Sequence, residues 1–280
     1  MITWQIDFYR RPLKNEAGKP IWELLICSPD GNFIYDAQCS QSQANSDWLV
    51  EQLQTAAKGN LPNLIQVFRP QSLSLLKAAG EKLAIEVEAT RRVAALKTQL
   101  SKRASEYANL DNSTGEVYQP IKIEQPPPQA LPENLWGDEW RFAAIPAGEI
   151  EAKFKSYPIP IVDLPDALLP LNLGIASTVK IPGVIIYGGR KSMQLACWLA
   201  EAKPFALNYI PTVVGESGGL VLETGLCDRW IVATFEDTDV AKAAPFYQQR
   251  QQASQGLHFL LVQPDDSGMT YTAFWLLQNE

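Results

Sequence analysis

A chain of 280 residues holds one large domain or two ordinary ones, because domains run to about 100–200 residues and split above roughly 250–300. Its 46% hydrophobic and 20% charged residues, with 8 Trp, 9 Tyr and 10 Phe, can bury a core and exclude wholesale disorder. A formal net charge of −7 excludes a generally basic protein that coats nucleic acid or an anionic membrane, so any polyanion contact must come from a local patch.

Trp4, Ile6 and Phe8 alternate with Gln5 and Asp7, the period of a half-buried strand. Residues 21–27 read as a second strand after the turn Glu16-Ala17-Gly18-Lys19-Pro20, and 33–37 as a third after Pro29-Asp30-Gly31-Asn32, which predicts an antiparallel meander. A helix is expected from Ser46, whose hydroxyl suits an N-cap, with Leu49, Val50, Leu53 and Ala57 at helical spacing. Strand 64–68, a helix over 72–83 stopped near Gly80, strand 84–89 and a helix over 93–107 follow. The order βββαβαβα is that of a ribonuclease H-like fold.

Next comes the polar stretch 109–115 and then the prolines of 119–128, which can neither continue a helix nor donate to a ladder. The expected organisation is a ribonuclease H-like domain over 1–107, a Pro-rich linker over 108–130 and a second α/β domain over 131–280. Charge divides unevenly: residues 1–107 hold 13 Lys and Arg against 11 Asp and Glu, and the rest 11 against 20. The first part is the better polyanion candidate.

The second part opens with the aromatic segment Leu135-Trp136-Gly137-Asp138-Glu139-Trp140-Arg141-Phe142, expected to pack one half on the other. Strand 184–187, helix 192–202, strand 205–210, the strand pair 219–223 and 230–234, a helix over 240–253, and a hairpin of 257–262 with 269–277 complete an α/β domain.

Several chemistries are disfavoured. Cys27, Cys39, Cys197 and Cys227 form no Cys-x-x-Cys pair, and Cys27 and Cys197 lie in apolar runs where a buried thiol is expected. The one histidine, His258, sits in a strand-like run without a nucleophile motif. Glu236-Asp237-Thr238-Asp239 and Asp265-Asp266 read as a helix cap and a hairpin turn, so neither metal nor cofactor is expected. No run approaches the roughly 18 apolar residues of a membrane span, and the amino terminus reads as neither signal nor transit segment, which predicts a cytoplasmic protein.

A two-metal nuclease on the first domain needs acids on the first strand, the first helix and the end of the fourth strand. Asp7 and Glu51 suit two of these places, but Phe68-Arg69-Pro70 puts an arginine in the third. Basic residues instead gather at strand ends: Arg10 and Arg11 beside Tyr9, then Arg69 followed by Gln71, then Arg91 and Arg92 with Lys97 on the next helix. Parallel strands would bring them to one rim, where guanidinium groups bind phosphates and aromatic faces stack bases; the alternative is an ordinary salt-bridged rim. The turn Gly188-Gly189-Arg190-Lys191 between strand and helix offers either a site for one backbone phosphate or a plain tight turn, without the spacing of a nucleoside-triphosphate loop. Glutamines 248, 249, 251, 252 and 255 on one helix offer base-reading amides or an exposed polar face.

Longer strings carry a resemblance. Trp4-Gln5-Ile6-Asp7-Phe8-Tyr9-Arg10-Arg11-Pro12, Gln66-Val67-Phe68-Arg69-Pro70-Gln71-Ser72, Leu131-Pro132-Glu133-Asn134-Leu135-Trp136-Gly137, Ile186-Tyr187-Gly188-Gly189-Arg190 and the terminal Trp275-Leu276-Leu277-Gln278 resemble the Tab/Atab family of RNA-binding proteins of cyanobacteria and chloroplasts. The resemblance implies a non-catalytic factor that binds A/U-rich messenger leaders and promotes translation of photosystem proteins and photosystem assembly. Its implied partners are such RNA together with translation or photosystem-assembly proteins. With the first string close to Met1, a cyanobacterial cytoplasmic member is expected. The basic rim and the terminal Trp-Leu-Leu-Gln are the expected RNA carriers.

Overall fold

The computed structural model describes residues 1–213 and 216–279. It is α/β throughout, and the chain divides into two compact units, Met1–Glu124 and Gln125–Glu280.

In the first unit the elements are β1 (Thr3–Lys14), β2 (Pro20–Cys27), β3 (Ile34–Ser40), α1 (Ser46–Ala57), β4 (Leu64–Val67), α2 (Pro70–Leu83), β5 (Glu86–Ala89) and α3 (Ala94–Tyr107). They form a five-stranded sheet in the order β3-β2-β1-β4-β5. β1 to β3 are mutually antiparallel, whereas β4 runs parallel to both β1 and β5. The carboxyl ends of β4 and β5 therefore share one rim, past which β1 continues from its last pairing at Ile6 to Lys14.

Alternation along β1 sends Trp4, Ile6 and Phe8 into an apolar layer with Leu49, Leu53, Leu76 and Ala79 of α1 and α2. The opposite face meets α3, where Leu25, Cys27 and Phe68 pack with Val93, Leu96 and Leu100. Gln5 lies on that face, its amide oxygen accepting from the Leu96 N–H at 3.1 Å. Both Gln5 and Asp7 are buried. β1 is thus a central strand covered on both sides, not the half-buried strand expected, and its polar residues form an internal layer.

After α3 the chain returns to β1. Lys14 N–H donates to the Asn112 carbonyl and Thr114 N–H to that of Pro12, both flanking a bridge between Leu13 and Ser113. Beyond it Ile123 packs against the cluster under α3.

Other expectations need local correction. The N-cap of α1 is Asn45, whose side chain accepts from Asp47 and Trp48 N–H, so Ser46 is the first helical residue. Gly80 does not stop α2, which continues to Leu83 and closes at Ala84 with φ 54°. Gly80 serves close packing instead, since a Cβ there would lie 2.6 Å from Val87 Cγ2 and 2.9 Å from the Ile85 carbonyl oxygen.

The second unit contains a five-stranded sheet, β7-β9-β13-β14-β8, and a four-stranded sheet, β10-β11-β12-β6. In chain order these are β6 (Gln129–Ala130), β7 (Glu139–Pro146), α4 (Ala147–Ser156), β8 (Ile161–Asp163), β9 (Lys180–Tyr187), α5 (Ser192–Ala202), β10 (Pro204–Val213), β11 (Ser217–Thr224), β12 (Asp228–Phe235), α6 (Thr238–Ala253), β13 (Leu257–Gln263) and β14 (Ala273–Gln278). Both faces of the five-stranded sheet are buried. Val184, Ile186, Leu260 and Trp275 pack with the smaller sheet, α5 and α6, while Ile185, Phe259, Leu261 and Phe274 pack with Ile150 and Phe154 of α4. The aromatic segment before β9 belongs to this unit's own core, where Leu135, Trp136, Trp140 and Phe142 join the first cluster. The last strand starts at Ala273, and Met269 is exposed in the preceding turn. Cys197 is also exposed, because Leu195, Ala196 and Leu199 form the buried stripe of α5.

Candidate nucleic-acid interface

Arg69 follows β4 and Arg91 and Arg92 follow β5, at one rim of the sheet, whereas Arg10 and Arg11 lie within β1 rather than at its end, and these arginines fall into two classes. Arg10 and Arg92 are exposed and Arg91 is half-buried. Arg11 and Arg69 are 3% and 4% exposed and face inward. Arg11 Nη1 donates to Asp7 Oδ2 at 2.8 Å, and Arg69 Nε donates to the other oxygen, Oδ1, at 2.7 Å. Arg11 Nε reaches Glu23 Oε1 at 3.3 Å. Glu23 is wholly buried and also accepts from Gln38 and from the Tyr107 hydroxyl. Burial opposes the charge on Arg11, but Asp7, Tyr118 and Glu23 outweigh it and raise its pKa above the ordinary arginine value. These two arginines are fixed cations inside the fold. Lys97 is buried as well, its Nζ donating to the Arg91 carbonyl at 2.6 Å.

The segment after α3 completes this cluster. The Tyr118 hydroxyl accepts from Arg11 Nη1 at 2.8 Å, and the Pro120 carbonyl accepts from Arg69 Nη2 at 2.6 Å. Above Arg69 lies Tyr9, with the guanidinium carbon 4.3 Å from the ring centroid, a cation–π distance. Arg11 Nη2 is buried with no hydrogen-bond partner in the protein. An unmade bond at a buried donor of this kind costs about 1–3 kcal/mol or more, which the ion pairs of the same guanidinium with Asp7 and Glu23 offset.

Around this cluster opens a cleft of about 400 Å³, lined by Tyr9, Arg10, Arg11, Arg69 and Gln71 from the rim. Lys14, Glu116, Tyr118, Gln119, Lys122 and Glu124 contribute its other charged and polar surface. The structure therefore brings five of the rim residues together, while Arg91, Arg92 and Lys97 follow β5 and do not line the cleft. Lys14, Tyr118 and Lys122 escape sequence reasoning, because Leu110, Val117, Ile121 and Ile123 stand near Tyr118 in a linker-like stretch and nothing in their spacing marks which side chains return to the sheet.

The arrangement bears on metal chemistry. Asp7 occupies the first-strand position that a two-metal site requires, yet both of its oxygens are held by guanidinium groups. Glu51 is exposed on α1. No group of three or more His, Cys, Asp or Glu side chains able to hold a metal ion occurs among the described residues.

The remaining candidates lie in the second unit. Arg190 and Lys191 are exposed in a short 3-10 turn before α5. The turn's amides are already used: Gly188, Gly189 and Lys191 N–H donate to the carbonyls of Gln263, Pro264 and Gly188. A Cβ at Gly189, whose φ is 51°, would collide with the Asp138 carboxylate. The tight-turn reading accounts for both glycines. Trp275, Leu276 and Leu277 are buried in β14 between β13 and β8, and Gln278 donates to the Gln255 carbonyl. Of the helix glutamines, Gln251 is buried and turns inward to the Leu207 carbonyl, with Gln248 reaching that of Tyr209.

Two family models match this chain, the RNA-binding protein Tab2/Atab2 N terminal over residues 3–103 and the RNA-binding protein Tab2/Atab2 C-terminal domain over 118–278. The chain belongs to the Tab2/Atab2 RNA-binding protein family. Relatives of the family include the "Protein TAB2 homolog, chloroplastic" of Arabidopsis thaliana, 27% identical over 98% of this chain and 74% of that one. The Zea mays protein of the same designation is 26% identical over 98% and 70%. Among solved structures, a simian T-cell lymphotropic virus intasome chain matches 39% of this chain and 43% of its own length at 17% identity with a TM-score of 0.26. The HTLV-2 integrase catalytic core domain matches 39% and 74% at 11% identity with a TM-score of 0.29.

Proposed function

We propose that this chain is a non-catalytic factor that binds A/U-rich single-stranded leaders of messenger RNA and promotes translation of photosystem proteins and photosystem assembly. Membership of an RNA-binding family supports the RNA, and the chloroplastic designation of both relatives supports the photosynthetic setting. In this reading the first unit is a ribonuclease H-like scaffold reused for binding. The observation that carries it is the rim: Arg10, on β1 four residues beyond its last pairing with β4, and Arg91 and Arg92, just after β5, lie on either side of β4 in the strand order, so phosphates of one strand can span them. The capture of Asp7 by two arginines supports binding without strand cleavage.

Replacing Arg10, Arg91 and Arg92 together by alanine tests the reading without touching the buried cluster. Affinity for an A/U-rich single strand is expected to fall at least about tenfold near 0.1 M salt, measured against a G/C-rich strand of equal length. Unchanged affinity in a folded variant would overturn the rim assignment, and Mg²⁺-dependent cleavage of RNA by the unaltered protein would overturn the non-catalytic one.

A further inference from the structure

The cleft beside the rim has properties that strand binding along the rim does not use. Its lining carries five cations against two carboxylates, and the buried Asp7 and Glu23 behind Arg11 and Arg69 leave an excess of one positive charge. Two of those cations, Arg11 and Arg69, are held rigidly by Asp7, and Arg11 keeps one buried donor without a partner. The volume of about 400 Å³ falls in the range of roughly 300–1,000 Å³ typical of small-ligand sites, which suits a nucleotide better than a bare ion. Tyr118, which lines the cleft, and Pro120 are bonded to Arg11 and Arg69 and hold the two guanidinium groups in place.

We propose that this cleft is a phosphate-monoester site that takes the phosphorylated end of an RNA chain, an inference that rests on RNA binding at the neighbouring rim. A terminal monoester carries a charge of about −1.5 to −2 at pH 7, more than the single charge of an internal diester, and so gains more from the excess of cations. Lys14 and Lys122, both exposed at the mouth, add charge without being part of the buried cluster.

The experiment compares one A/U-rich oligonucleotide in three forms, with both ends as hydroxyls, with a 5′-phosphate and with a 3′-phosphate. One phosphorylated form is expected to bind about five- to tenfold more tightly, and the form that does so identifies the end. The double variant Lys14→Ala, Lys122→Ala should lose that advantage while keeping the affinity for the unphosphorylated strand. Titration with AMP, followed by NMR of the Tyr9 and Tyr118 rings, reads the cleft alone and is expected to shift both. Equal affinity for all three strands, with neither ring moved by AMP, would overturn the cleft site and leave the rim reading standing. Ring shifts with AMP but no affinity for any strand would support the monoester site and overturn the RNA reading.

Discussion

Asp7 is the hinge of the site. A carboxylate at the centre of a sheet, wholly buried, survives there because two guanidinium groups lie within 2.8 Å of its oxygens. Replacing it by asparagine keeps the shape and removes the charge, leaving Arg11 and Arg69 with an uncompensated charge inside the fold. Such a loss costs about 3–5 kcal/mol, so Asp7→Asn should lower the urea midpoint of the first unit by a corresponding amount. A midpoint within error of the unaltered protein would show that the arginines find their counter-charge elsewhere. The sequence makes the arginines visible but not their direction. At Arg10-Arg11 the strand period assigns opposite faces to neighbours, yet which face is buried depends on a segment that returns over a hundred residues later with Tyr118. Arg69 looks like a surface cation at a strand end for the same reason.

The edge strand β10 shows how elements that were well marked in the sequence acquired unmarked duties. Edge strands carry unpaired backbone groups that need covering. Here the Leu207 carbonyl accepts from the Tyr247 hydroxyl and Gln251 of α6, and the Leu207 N–H donates to His258 Nε2 on β13 at 2.8 Å. Periodicity placed α6 and β13 but could not show that their polar side chains clothe a neighbouring strand, because that contact joins positions about 40 to 50 residues apart. His258 is fully buried, and burial lowers its pKa from the ordinary 6.5 to about 4, against smaller raising effects of the Gly256 carbonyl and Glu223. Between those values the unfolded chain takes up a proton that the folded one refuses. Stability is therefore full above pH 6.5, falls as the pH drops toward 4 and levels off below it, a loss of about 3 kcal/mol. Urea unfolding at pH 7.5 and pH 4.5 measures it. His258→Gln keeps an acceptor for Leu207 and should flatten this pH dependence, whereas an unaltered slope would assign it to other groups.

Charge is distributed so that the whole molecule is acidic while its candidate interface is not. The stretch beyond residue 107 carries 20 of the 31 acidic residues, and the cations proposed to meet RNA are Arg10, Arg91 and Arg92 at the rim with Lys14 and Lys122 at the cleft. The buried cluster contributes field and rigidity but no mobile counterions of its own, since Asp7 and Glu23 already neutralise much of it. An end-phosphorylated strand contacting all five releases counterions with a logarithmic salt slope of about −0.7 per phosphate, or about −3.5 in all, and an unphosphorylated one contacting the rim alone about −2. Removing Arg10, Arg91 and Arg92 should reduce the slope by about 2 and leave the remainder to the cleft. Affinity for a generic polyanion such as heparin should be slight near 0.15 M salt, because most of the surface repels it. Fluorescence-anisotropy titrations of an A/U-rich strand across salt concentrations give the slope directly. A value as steep as about −7 would require a second basic surface that neither the rim nor the cleft supplies.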